Sequence, residues 1–179
     1  MAPHIRFSSS IPGCDRVHNV NSEDVRIVLS RLPLELWSRL PCVHFNDQSR
    51  GARVLGYVNR GRREIALCAL PPRISLTRYL VKGQKPEQFG AKRGQKWSEM
   101  AVRRFMLYDV FLHELGHLQV VEPNSSSVRK KFAQEKFAQA FALEWCKQLW
   151  SEPFSHPDAV HRPPSAVEMS MLRTEVLEG

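Results

Sequence analysis

The stretch His113-Glu114-Leu115-Gly116-His117 decides how this chain is read. It lies in a run with helical apolar spacing, and residues four apart on a helix share one face. His113 and His117 can therefore offer two imidazole nitrogens to a single ion, the spacing by which zinc enzymes hold their metal. Glu114 then sits beside the ion without ligating it, where it can take a proton from a water. The plainer alternative is a helix that happens to carry two histidines.

A second segment downstream bears on the same site. Glu122 and Pro123 should end the first helix, because proline lacks an amide donor and restricts the residue before it. Asn124, Ser125 and Ser126 suit a turn, and Ser127 suits the N-cap of a helix starting near Val128. Phe132, Phe137, Ala138, Phe141, Ala142, Trp145 and Leu149 then recur at amphipathic helical spacing. Two antiparallel helices joined this way can bring Glu135 against the imidazoles, giving a His2Glu set with one position open to water.

Two other carboxylates compete with Glu135. Glu122 is too close after His117 to fold back while that helix persists. Glu144 points to nearly the opposite side of its helix, at about 100° per residue. Glu135 shares its face with Ala138, Gln139 and Ala142, small enough for close helix approach, and is preferred. It is otherwise a surface carboxylate paired with Lys131, four residues before it.

With these residues in view, His113-Glu-Leu-Gly-His117 followed by Glu135-Lys-Phe-Ala-Gln-Ala-Phe-Ala142 resembles the compact one-domain gluzincin-like metallopeptidases, in particular the ImmA/IrrE type. Known members of that type cleave repressor proteins. The resemblance implies His113, His117 and Glu135 as zinc ligands and Glu114 as general base. Gln139 stands where that type often has Asn or Asp. The implied substrate is a protein or peptide, and the implied cofactor is Zn2+.

Upstream, Val25, Val28, Leu29, Leu32, Leu36 and Leu40 form a helical stripe that Pro33 should interrupt. Strands are expected at 43–45, 53–59 and 64–70, with Arg60-Gly61-Arg62-Arg63 as a hairpin turn. The expected fold is a single-domain α+β, zincin-like one. It has a small, mostly antiparallel sheet, an active-site helix, and a following helix carrying the third ligand. By the same resemblance, the strand over 64–70 would be the platform for an extended substrate. The expected organisation is an N-terminal extension over 1–21, a peptidase domain over 22–150, and a Pro-rich tail over 151–179. That tail could dock on the core, block the cleft or stay loose.

A chain of 179 residues with 42% apolar content can bury one real core. Neither a signal-like start nor a membrane-length apolar run is present, which suggests a cytoplasmic protein. Cys14, Cys42, Cys68 and Cys146 form no C-x-x-C pair, so neither a zinc ribbon nor a disulfide framework is implied. Much of the net charge of +8 falls between Arg78 and Arg104, and the Gly- and Pro-containing part of that run, 82–96, is expected to be a mobile basic loop. Such a loop could guide an acidic protein substrate or touch nucleic-acid phosphates, although no recognition motif supports the latter. Two other classes fit the same residues. One is a catalytically silent zinc-binding regulatory protein; the other is a DNA-associated protease of the SprT kind, which usually offers a third histidine. Asp109 could orient an imidazole. His156, His161, Tyr79 and Tyr108 are candidate oxyanion donors.

Overall fold

Val43, Phe45, Ile65 and Leu67 place branched and aromatic side chains on one face of neighbouring strands, and all four bury. The structure is a computed structural model that describes residues 4–120 and 127–174. Four strands, β1 (Arg6–Ser9), β2 (Cys42–Asn46), β3 (Gly56–Asn59) and β4 (Glu64–Cys68), form one sheet in the order β1-β2-β4-β3. β1 pairs with β2 and β2 with β4 in parallel; β3 pairs with β4 antiparallel. The α+β class is as expected, but the sheet is mixed rather than mostly antiparallel. The reason is two parallel pairings, β2 with β4 and β2 with β1, the last coming from the 1–21 stretch expected to be an extension.

The position of β4 also corrects the expected substrate platform. β4 is enclosed between β2 and β3, so its backbone groups are already paired. The edge strands are β1 and β3, and β3 joins β4 through the turn at Arg60–Arg63, where Arg63 adopts φ 56°.

Helix α1 (Ser22–Ser30) starts at a capping box in which Asn21 and Asp24 satisfy each other's backbone amides. Pro33 breaks the stripe as expected, and the chain resumes as the single turn α2 (Leu34–Trp37). The long helical run begins with α3 (Glu99–Phe105), capped by Ser98 Oγ accepting from the Ala101 amide. It continues through a π-helical segment (Met106–Phe111) into α4 (Leu112–His117). Every side chain of the π-helical segment is buried. The Pro123 break, Glu122 and the Asn124–Ser126 turn lie outside the described residues; α5 (Val128–Ser151) follows with Ser127 at its N-cap.

Residues 82–96 pack on the core rather than standing clear of it. A 3-10 turn (Pro86–Phe89) seats Phe89 edge-on to Phe105 and stacks it on Trp97, while Gln84 and Ala91 are also buried. The lysines of this stretch point outward, but apolar anchors pin its backbone.

The tail docks on the core. Arg104 is buried and donates to the Ala159 and Arg162 carbonyls and to Glu168, at 2.9, 3.1 and 2.8 Å. Arg103 joins Asp24 and Asp158, and the Tyr108 hydroxyl meets His161 Nδ1 at 3.0 Å. Arg31 adds bonds to the carbonyls of Leu149 and His161. This polar network holds α6 (Ala166–Thr174) and the 3-10 turn before it against α1 and α3. Glu175, Val176 and Glu178 lie outside the described residues. No described helix is long and apolar enough to cross a membrane.

Candidate metal centre

His113 and His117 share one face of α4, and Glu135 reaches them from α5. His113 Nε2 stands 3.1 Å from His117 Nε2, and Glu135 places its two oxygens 3.3 Å from the first and 3.4 Å from the second. Ligands about 2.0–2.1 Å from a tetrahedral ion lie about 3.3–3.4 Å apart. One ligand atom from each of the three residues lies within 4.8 Å of the others, with the two imidazoles meeting different oxygens of Glu135, so this triangle can close on a zinc ion with small side-chain shifts. Two neutral nitrogens and a carboxylate also suit zinc chemically.

The closeness of the two helices sets this triangle. A Cβ on Gly116 would stand 3.0 Å from Ala138 Cα and 3.1 Å from both Ala138 O and Phe141 Cβ. A side chain at Gly116 would make α5 give by a few tenths of an ångström, and Ala138 is fully buried at that contact. The small residues around Glu135 were legible in the sequence; the part played by Gly116 was not.

Glu114 is buried behind the triangle against β3. A Cβ on Gly56 would come within 2.9 Å of Val110 Cγ1 and 3.3 Å of Glu114 Cγ. Burial pushes the Glu114 carboxyl up to about 8; the Glu135 charge pushes the same way and Arg60 opposes it. Burial lowers the His117 imidazole, favouring the neutral form that a ligand needs.

The surroundings of the imidazoles differ from the usual carboxylate or carbonyl partner. Arg60 Nη2 donates to His117 Nδ1 at 3.2 Å while its Nη1 bonds Gln134 at 2.5 Å. His113 Nδ1 is buried and has no hydrogen-bond partner among the described residues. Asp109, the expected orienting group, instead accepts from Gln84 at 2.6 Å and Gln139 at 3.1 Å. It sits in the π-helical segment, and burial raises its carboxyl above the ordinary range despite those bonds.

A cleft of about 390 Å³ opens onto this group, lined among others by Arg53, Gly56, Tyr79, Glu114, Glu135 and Gln139. Family models, curated proteins and solved structures were compared with the chain, and none matches.

The other candidates separate cleanly. Glu144 is exposed and does not join the His113–His117–Glu135 grouping. Tyr79 lines the cleft, with its hydroxyl accepting from Arg78 at 2.7 Å. Tyr108 and His161 are buried in the tail-docking network, and the His156 ring packs edge-on against His161, 4.9 Å between centroids.

Proposed function

We propose that the chain is a zinc-dependent metallopeptidase acting on an extended segment of a protein or peptide. The reading rests on one observation: three donors of zinc-ligand type converge within 4.8 Å of one another beside a buried glutamate. Zinc, when bound, polarises a peptide carbonyl and brings the pKa of a water toward neutrality.

His113, His117 and Glu135 would hold the ion. A positive charge there opposes the burial and the Glu135 repulsion that keep Glu114 protonated, which restores its carboxylate as a base. Glu114 then takes the water's proton and delivers it to the leaving amine. β3 would hold the substrate backbone along its free edge, since Gly56 brings that strand against Glu114. Arg53 at the cleft and Arg60 beside His117 favour acidic side chains near the scissile bond.

The test is digestion of a peptide mixture by zinc-loaded protein, with products mapped by mass spectrometry. Cleavage by the native chain that disappears with a chelator, and in Glu114→Gln carrying its full zinc, supports the reading. Zinc-loaded native protein that cleaves nothing, or Glu114→Gln that cleaves as well as the native chain, overturns it.

A further inference from the structure

The sheet carries a second group of reactive side chains, remote from His113 and His117. Strand alternation turns Val43, Phe45, Ile65 and Leu67 toward the core, which leaves Ser8, His44 and Glu64 on the other face. Ser8 and His44 are direct partners across β1 and β2, and Glu64 is diagonal to His44 on β4, whose Ala66 is the partner of His44.

The contacts form a directed chain. Ser8 Oγ lies 2.5 Å from His44 Nδ1, and His44 Nε2 lies 3.3 Å from Glu64 Oε2. His44 Nε2 and Glu64 Oε2 are at ion-pair distance rather than in a hydrogen bond, and the carboxylate, which only accepts, favours the tautomer with the proton on Nε2. Nδ1 is then a free lone pair aimed at the Ser8 hydroxyl. Nucleophile to base and base to carboxylate is the arrangement by which a serine is activated. Here three adjacent strands hold it, a stiffer support than loops. Cys42 Sγ is also 3.8 Å from His44 Nδ1, but it is buried, and burial pushes its thiol up, so the hydroxyl is the accessible nucleophile.

A groove of about 360 Å³ opens over the three residues, lined also by Asn46 and Tyr57. Asn46 Nδ2 donates one hydrogen to the Tyr57 hydroxyl at 2.8 Å, and that hydroxyl donates to Gln48 at 2.9 Å, so the second Asn46 Nδ2–H is the donor these two residues can turn to the groove. The glutamate that anchors the base is mostly buried, with 13% of its side chain exposed, whereas His44 is open at 35%.

We propose that Ser8, His44 and Glu64 form an acyl-transfer site that takes small, unhindered carboxylic esters, independently of the zinc centre. Ser8 Oγ bonds to the ester carbonyl carbon as its proton passes to His44 Nδ1. The bond from that carbon to the alkoxy oxygen breaks, and the leaving alkoxide takes the proton from His44 as it departs as an alcohol. Water then attacks the acyl-serine, giving one proton to Nδ1. The carboxylic acid leaves, and the proton returns to Ser8 Oγ. Ester and water become acid and alcohol, with no redox partner needed.

The experiment is labelling of the full chain by a fluorophosphonate probe in the presence of EDTA, with the adduct mapped by mass spectrometry. The expected result is one adduct at Ser8, absent from Ser8→Ala and formed about a hundredfold more slowly in His44→Gln. Both variants should melt at the native temperature. No adduct on the native chain, an adduct at another residue instead, or equal labelling of Ser8 in His44→Gln would each overturn the proposal.

Discussion

Gly116 and Ala138 touch backbone to backbone: a Cβ at Gly116 would stand 3.0 Å from Ala138 Cα. That contact ties the helix bearing His113 and His117 to the helix bearing Glu135. Gly116→Ala should push the two apart, costing about 1–3 kcal/mol in stability as an overpacked contact. Glu135 would be displaced from the imidazoles, so zinc affinity should fall more than tenfold. Gly61→Ala, whose Cβ meets only Asn59 Oδ1 at 3.7 Å, should leave affinity unchanged. Titration against a chelating dye checks both variants; native-like affinity in Gly116→Ala would show that the close approach does not set the triangle.

Arg60 and His117 are set against metal binding. Arg60 only donates, so His117 Nδ1 must accept from it. An imidazole that ligates through Nε2 carries its proton on Nδ1 and requires an acceptor there. Arg60 must therefore release His117 when an ion binds, and its charge repels the ion as well. Arg60→Met should tighten zinc binding about tenfold, a change of about 1.4 kcal/mol, by the same dye competition. Weaker binding in Arg60→Met would mean that Arg60 supports the site.

Asp24 makes the tail-docked fold sensitive to acid. Burial alone would raise its carboxyl; the His161 ring 3.6 Å away, the Arg103 bonds and the Asn21 amide overcome this and hold it at about 2, below the ordinary 3.8. The native state thus binds its proton less readily than the unfolded chain. The stabilisation is complete above the unfolded value and drains away as pH falls from about 4 to about 2. It amounts to about 2 kcal/mol. Asp24→Asn should be less stable than the native chain at pH 6, with the difference narrowing in acid. Urea unfolding at pH 2.5, 4 and 6 measures this, and a constant difference at all three would contradict the assignment.

What could be read from the sequence was mostly local. Helical periodicity puts His113 beside His117, and proline chemistry places the break at Pro33. The turn angle along one helix left room for only one of Glu135 and Glu144, and the small residues on the Glu135 face selected it; Glu135 is the one that stands 3.3 and 3.4 Å from the two imidazoles. Strand order depends on pairing between distant segments, which explains why β1 passed for an extension and β4 for the platform strand. Residues 82–96 look mobile by their glycines, prolines and lysines, yet Phe89 and Trp97 contribute enough buried aromatic surface to fix them. The partners of Asp109 come from Gln84 and Gln139, 25 residues before it and 30 after it, and no spacing rule connects them. Ser8, His44 and Glu64 meet only because β1, β2 and β4 are neighbours.

The most direct test of the proposed centre is metal content by mass spectrometry on the native chain, His117→Ala, Glu135→Ala and Glu144→Ala. One zinc per native chain, lost from the first two variants and kept by the third, is the predicted result. Full zinc in Glu135→Ala, or none in the native chain after loading, would contradict the His2Glu centre.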